Sequence, residues 1–169
     1  MQIQRNITVD ATPDRVWEVL ALRFGDVHEW ASSVFHSSES QGKPSIPGAP
    51  SAGRTCETEL GPFEESIVEF DEAKKTLAYT ASGEKMPFFV KGLRNRWALS
   101  ARADGKTQVD MLMNADLAFP FNLFMAPLMK VQMGRVLTFA VEELKHFAET
   151  GRPHPRKLEA DRKLALEAA

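Results

Sequence analysis

At 169 residues, the chain is long enough for one domain with a substantial core, and its composition (43% hydrophobic, 26% charged) is that of a globular protein. Its net charge is −2 and its Lys and Arg residues are scattered, which argues against a basic stripe and a nucleic-acid partner. The single Cys56 excludes an intrachain disulfide and fits a reducing compartment.

The N-terminus shows no basic region followed by an apolar stretch, so no signal peptide is predicted. The longest charge-free apolar stretch covers residues 117–129, and it is too short and too broken by Pro120, Asn122 and Pro127 to span a bilayer. We therefore expect a cytoplasmic protein without a transmembrane segment.

The first element is a strand that turns sharply into a helix. Arg5 falls on the apolar side of this strand, so it must lie near an edge or have a partner. In "ATPDRVWEVL", Thr12 is suited to cap a helix and Pro13 to begin it. The apolar residues that define the strand and then the helix face are Ile3, Ile7, Val9, Val16, Val19 and Leu20.

The middle of the chain has the pattern of an antiparallel meander. A second short helix or turn is predicted at residues 26–30, and a short polar strand within 32–40. The following "QGKPSIPGAPSAG" at 41–53, with three Pro and three Gly, is an irregular loop. Turn signals then separate segments of period-two alternation. The predicted strands are Arg54–Leu60, Ser66–Asp71, Thr76–Ser82, Phe88–Ala101 and Gln108–Ala118.

The longest predicted element is a helix from about Asn122 to Glu149. Gly151, with Pro153 beyond it, is suited to end this helix. The tail, residues 151–169, has few apolar anchors, so we expect it to be poorly ordered or a loosely packed helix outside a domain at 1–150. One helix face carries Met125, Met129, Met133, Val136, Leu137, Ala140, Leu144 and Phe147.

This element order resembles that of the SRPBCC (START/Bet v 1-like) superfamily, in particular its polyketide cyclase/dehydrase-like branch. The resemblance rests on "ITVDATPDRVWEVLALRFGDVHEW", on "GRTCETELGPFEESIVEFDEAKKTLAYTASG" and on the terminal helix ending in "EELKHFAE", and it covers residues 1–150. It implies an α+β helix-grip fold, in which a curved antiparallel sheet wraps around the long C-terminal helix. It also implies a cavity between the two that takes an apolar or amphipathic small molecule.

The ionisable residues show no catalytic or metal-binding signature. His28, His36 and Cys56 are conceivable metal ligands, but their spacing matches no zinc pattern, so we predict neither a metal nor another cofactor. Glu57 and Glu59 share a strand face, but the alternating set that begins with Arg54 is the more inward-looking one, so these carboxylates are expected to face solvent. The sequence leaves enzymatic activity open.

The apolar residues predict a ligand site more clearly. Met side chains fill irregular gaps in a core, and they can also form an adaptable wall for a flexible ligand. Ile46, the lone large apolar residue of loop 41–53, could latch over the cavity as a lid. Asn95 could orient a ligand if it points inward, whereas Asn114 is expected to face solvent. The predicted cavity-lining residues are Tyr79, Trp97, Met111, Met113, Met125, Met129, Met133, Val136 and Ala140.

Three classes of function fit these observations. The first is a protein that binds an apolar small molecule such as a lipid, polyketide, quinone or aromatic metabolite, as a monomer or homodimer. The second is a cyclase- or dehydratase-like enzyme that uses the same cavity. The third is a co-chaperone-like interaction module. One fold serves many functions, so the resemblance alone does not rank them.

Overall fold

The computed structural model describes residues 1–167 and begins with the strand-to-helix corner that the sequence predicts. Strand β1 (Gln2–Val9) leads into helix α1 (Pro13–Trp17), whose N-terminus is capped by Thr12 Oγ1 accepting a hydrogen bond from Arg15 N at 3.3 Å. A π-helical turn (Glu18–Leu22) and a short 3-10 helix (Phe24–Glu29) follow. This short helical layer is anchored in the core, since Val16 and Trp17 are fully buried.

Seven antiparallel strands form one curved sheet, which confirms the predicted fold class. The strands lie in the order β1-β7-β6-β5-β4-β3-β2, so the first strand pairs with the last and the polar β2 forms the opposite edge. The remaining strands are β2 (His36–Glu39), β3 (Gly53–Thr58), β4 (Gly61–Asp71), β5 (Thr76–Gly83), β6 (Val90–Ala101) and β7 (Thr107–Leu117).

Strand β4 begins five residues earlier than the sequence pattern predicted, at Gly61 rather than Ser66. The reason is a tight β3–β4 hairpin: Gly61 has a φ of 88°, and its carbonyl oxygen accepts a hydrogen bond from Thr58 Oγ1 at 2.9 Å. The two strands also approach closely at Gly53, where a Cβ atom would lie 1.9 Å from Glu65 O. The longer β4 adds Phe63 and Glu65 to the sheet.

Helix α2 (Phe121–Thr150) packs on β1 and β7, and it ends at Gly151, which has a φ of 68° and donates its N–H to Phe147 O at 2.8 Å. Helix α3 (Pro155–Glu167) follows within the predicted tail, whose last two residues, 168 and 169, lie outside the described part of the chain. No helix in residues 1–167 combines the length and the hydropathy needed to cross a membrane.

The buried stripe of α2 is offset from the one that the sequence suggested. Its fully buried apolar side chains lie in the second half of the helix, at Leu137, Val141, Leu144 and Phe147. Val136 is 41% exposed and therefore lies outside this stripe. Leu137, Leu144 and Phe147 are thus buried as predicted, whereas Val141 is a buried residue that the predicted face did not include.

Candidate functional site

The inner face of the sheet, on which α1 and α2 pack, carries an unbroken row of neighbouring side chains across five strands. In this row Asn95 of β6 lies between Tyr79 of β5 and Met113 of β7. Ile67 of β4 and Ile3 of β1 continue it on either side. Asn95 is therefore an amide group surrounded by large apolar residues, in the middle of the sheet.

The side-chain carbonyl oxygen of Asn95 is buried and has no hydrogen-bond partner among the described residues. An unsatisfied buried acceptor costs about 1–3 kcal/mol relative to a satisfied one, so such groups are rare in folded proteins. An amide has two donors and one acceptor oxygen, and it is the acceptor that is left without a donor here. Among the described residues, Asn95 Oδ1 is thus a buried acceptor with unused hydrogen-bonding capacity.

Tyr79 and Trp97 form the aromatic part of the inner face. Trp97 Nε1 donates a hydrogen bond to Tyr79 OH at 3.5 Å, and both side chains are almost fully buried. Burial raises the pKa of the Tyr79 phenol, with a smaller contribution from the Glu65 carboxylate. The phenol is therefore neutral at physiological pH and acts as a hydrogen-bonding group.

A buried ion pair between Arg54 and Glu65 occupies the adjacent row of the inner face. Arg54 is only 5% exposed; its Nε donates to the Glu65 carboxylate and its Nη1 donates to Phe24 O at 2.8 Å. Its guanidinium also lies 3.9 Å from the centre of the Phe24 ring. Burial alone would lower the pKa of Arg54, but the charge and hydrogen bond of Glu65, together with Tyr79 and Cys56, outweigh it and raise this pKa. The pair thus stays charged inside the fold.

The thiol of Cys56 is a further buried titratable group on this face. Burial raises the pKa of the Cys56 thiol to about 12, so this side chain is neither a nucleophile nor a metal ligand at neutral pH. The inner face thus combines the protonated Tyr79 and Cys56 with the ionised Arg54–Glu65 pair.

The structure brings part of the predicted site together. Tyr79, Trp97, Met111 and Met113 are all buried on the inner face of the sheet. The helix residues are less enclosed: Met125, Met129, Met133 and Ala140 are half-buried, and of these Met133 packs against the core. Whether these side chains contact a ligand remains a prediction.

Sequence reasoning missed two polar features of this face. The Arg54–Glu65 pair could not be found because Glu65 lay just outside the strand predicted to begin at Ser66. The second feature is the set of contacts made by Arg5, which the sequence placed on the apolar side of the first strand without identifying its partners. Arg5 donates from Nε to Thr138 Oγ1 and from Nη2 to Gly134 O, both at 2.8 Å, so it joins β1 to α2. The signal for Asn95 was present, because it shares the strand parity of Trp97.

Apart from Cys56, the residues considered for metal binding or acid–base chemistry lie outside the row of side chains around Asn95. The rings of His28 and His36 are 5.6 Å apart, and His28 Nδ1 is hydrogen-bonded to Ser37 Oγ at 2.8 Å. In residues 1–167, no three His, Cys, Asp or Glu side chains are placed to bind a metal ion. Glu57 and Glu59 are both exposed.

Loop 41–53 covers the β4 side of the core. Ala52 O accepts a hydrogen bond from Ile67 N at 3.0 Å, and a Cβ atom on Gly48 would lie 3.9 Å from the Phe70 ring. Ile46 is half-buried against the core. The role of Ile46 as a lid stays a prediction, to be tested by the rate at which a ligand leaves after the loop is shortened.

A separate surface cavity of about 550 Å³ lies at the opposite end of α2 from its methionines, where the chain turns into α3. It is bordered by His146, Thr150, Arg152, Pro153, Pro155 and Leu158. It lies outside the inner face of the sheet, and none of the predicted ligand-binding residues lines it.

Comparison with solved structures shows that other proteins share this fold. A START superfamily protein from Mycobacterium smegmatis superimposes with a TM-score of 0.70 at 11% identity, covering 88% of this chain and 97% of that one. A protein from Thermobifida fusca gives 0.65 at 20% identity, with 90% and 97% covered. Ara h 8.0201 gives 0.59 at 14% identity, with 85% and 97% covered. At these identities, the likeness concerns the fold.

The sequence itself identifies the family. Residues 1–149 match the model of the family described as polyketide cyclase / dehydrase and lipid transport. The chain therefore belongs to that family, and the resemblance drawn from its sequence is confirmed. No curated protein matches the chain.

Proposed function

We propose that this protein binds a hydrophobic or amphipathic small molecule between the inner face of the sheet and the first half of α2, in the cytoplasm and as a monomer or homodimer. The family supports this proposal at the level of ligand class. The half-buried Met125, Met129 and Met133 on the helix and the buried Met113 on the sheet offer flexible apolar side chains for such a molecule.

The observation that carries the proposal is the unsatisfied Oδ1 atom of Asn95. A ligand with a hydroxyl or N–H group could donate to it while its apolar body lies against Met113 and the helix methionines. This pairing would remove the cost of the buried acceptor, so it favours amphipathic ligands over pure hydrocarbons. A lipid, quinol or polyketide with one hydroxyl group has this chemistry.

A cyclase- or dehydratase-like reaction would use the same inner face. Binding is the primary proposal because the unpartnered Asn95 Oδ1 is a geometric feature that a bound donor group would satisfy. An enzymatic role would require a proton-transfer group, and the Cys56 thiol, whose pKa burial raises to about 12, does not fit that part.

The test measures the displacement of N-phenylnaphthylamine, an apolar fluorophore, by dodecanol and by methyl dodecyl ether. The two competitors have similar apolar chains, but only the alcohol can donate a hydrogen bond. We expect the wild-type protein to prefer the alcohol by roughly tenfold, which is about 1.4 kcal/mol. In Asn95→Leu this preference should vanish. The variant should also gain about 1 kcal/mol in free energy of unfolding, because an unsatisfied buried polar group has been removed.

Asn114→Leu is the matched control, because Asn114 follows Met113 on β7 and points to the other face of the sheet. It should keep the wild-type preference for the alcohol. Absence of saturable fluorophore binding by the wild-type protein would overturn the proposed function. Saturable binding with an equal preference in Asn95→Leu and wild type would overturn the role of Asn95 alone.

A further inference from the structure

The first half of α2 is hydrophobic on all sides, although only one side faces the protein. Between residues 119 and 134 the sole charged residue is Lys130. The methionines take the side towards the sheet, yet Phe124 and Val131 on the other side are 75% and 74% exposed. A helix that is apolar all round is normally covered on all sides. The outer side of this segment is therefore exposed to solvent, although its apolar composition is typical of a helix that is buried on all sides.

Two other segments bring exposed aromatic residues to the same end of the molecule. Phe88, in the β5–β6 loop, is 74% exposed, and its ring lies 5.2 Å from that of Phe121 at the start of α2. Phe119, just before α2, is 78% exposed. We call this surface the apolar end; its exposed residues are Leu60, Phe88, Phe119, Leu123, Phe124, Leu128 and Val131.

These seven residues are the majority of the thirteen large apolar side chains that are exposed in residues 1–167. Leu60 belongs to the group because the β3–β4 hairpin reaches this end, where Gly61 lies beside the Lys85 side chain. Single exposed apolar residues are ordinary, but a contiguous group from three loops and a helix marks an interaction surface.

Basic residues surround the apolar end. Lys85 and Lys91 flank Phe88, Lys130 lies among the exposed helix residues, and none of the three forms an ion pair within the described part of the chain. Residues 117–141 contain no Asp or Glu, in a chain whose net charge is −2. The carboxylates nearest in sequence are Glu59 in the β3–β4 hairpin, Glu84 in the β5–β6 loop and Asp116 near the end of β7, and none of them belongs to the helix. The helix of the apolar end is thus apolar with an excess of positive charge.

We propose that the apolar end docks on the surface of a membrane that contains anionic lipids. Phe88, Phe119 and Phe124 would enter the boundary between headgroups and acyl chains, and the lysines would extend to the lipid phosphates. Protruding aromatic side chains from separate loops suit a fluid surface that adapts to them, whereas a protein partner would need a matching set of pockets. This inference concerns the outer surface of α2 and does not depend on the ligand proposed above.

The test is co-sedimentation of the full chain with phosphatidylcholine vesicles, with and without phosphatidylglycerol. We expect the partition coefficient to rise roughly tenfold with the anionic lipid and to fall again in high salt, because exposed charges are screened. Phe124→Ser should lower partitioning by about tenfold, since an aromatic side chain is lost from the interface. Leu166→Ser is the matched control: Leu166 is 73% exposed on α3, away from the apolar end, and its loss should leave partitioning unchanged.

Both substitutions are at exposed sites, so both variants should keep the wild-type thermal unfolding curve. Three results would overturn the proposal: no binding to either vesicle, equal loss in both variants, or a dimer that Phe124→Ser dissociates without any vesicle binding in the wild type. The Asn95→Leu variant separates this proposal from ligand binding, because it should still bind vesicles as the wild type does.

Discussion

The two halves of α2 are built on different principles. From Leu137 onwards the helix is tied to the rest of the fold by buried apolar side chains and by polar contacts. Arg5 bonds to Thr138, and Lys145 Nζ donates to Thr8 O at 2.7 Å. In residues 121–136, by contrast, only Gly134 is buried. Among the described residues, the hydrogen bonds that involve a side chain and join residues 5–10 to this helix all reach it at Gly134 or later.

This difference indicates that the two halves of the helix have different structural roles. The second half fixes the position of α2 on the sheet. The first half extends beyond these contacts, and its apolar sides are available to other molecules. Segments with few buried contacts open locally at low free energy, while well-packed segments open only with the whole fold. A binding function fits best at the first half, where molecules can enter without disturbing the core.

The largest effect should come from truncating a buried leucine in the second half. Leu144 is 0% exposed, so Leu144→Ala removes buried methyl groups and leaves a cavity. We expect the free energy of unfolding in urea to fall by about 2–5 kcal/mol. Leu128→Ala, in the first half at 51% exposure, should cost less than about 1 kcal/mol. Similar losses in the two variants would contradict the division between the halves.

A smaller loss is expected from Glu143, a buried carboxylate in the second half. It is 1% exposed and accepts hydrogen bonds from Ser32 N at 2.9 Å, from Ser32 Oγ at 2.7 Å and from Arg156 Nε at 3.0 Å. Glu143→Ala leaves the backbone N–H of Ser32 without its partner, which should cost about 1–3 kcal/mol of unfolding free energy.

The neighbouring Glu142 provides the control. It also pairs with Arg156, at 2.7 Å, but its side chain is 43% exposed. An exposed ion pair contributes at most about 1 kcal/mol, so Glu142→Ala should remain within that limit. If Glu142→Ala were as destabilising as Glu143→Ala, the effect would arise from the charge of Arg156 rather than from burial of the Glu143 carboxylate.

Much of this fold could be predicted from the sequence, because its signals are local. Period-two alternation identified the strands of the meander, and the long helix was placed within one residue of each observed end. The buried side of α2 was harder to choose. A helix with apolar residues on all sides has no single apolar stripe, so its periodicity included the exposed Val136 beside Leu137 and omitted the buried Val141.

The polar interior could not be predicted because it depends on contacts between distant residues. Arg54 pairs with Glu65 because of the β3–β4 register. This register could not be derived from the sequence, because the tight hairpin between the two strands was not predicted. In the tail, Lys157 is only 3% exposed and its Nζ donates to Val34 O at 3.0 Å. A lysine in a charged segment normally indicates a solvated surface. The attachment of the start of α3 to the core was therefore not visible in the sequence.

The smallest predicted effect concerns pH and the junction between α2 and α3. The ring of His154 lies 5.2 Å from that of His146, and its Nδ1 atom accepts a hydrogen bond from Arg156 N at 3.1 Å. Burial, the charge of Arg156 and the nearby His146 lower the pKa of His154 below its ordinary 6.5, although Glu142 and Glu143 act in the opposite direction.

The folded protein therefore takes up a proton at His154 less readily than the unfolded chain does. Stability from this site should be fully present above pH 6.5 and should decline as the pH falls from there through the lowered pKa. His154→Asn keeps an acceptor near the position of Nδ1 but cannot be protonated in this range. We expect urea unfolding of this variant, measured from about pH 8 to about pH 5, to lose less stability towards acid than the wild type does. At the alkaline end the two proteins should be nearly equal in stability. Parallel pH profiles would show that the second half of α2 is held independently of the charge state of His154, through its buried apolar side chains and its contacts at Glu143, Thr138 and Lys145.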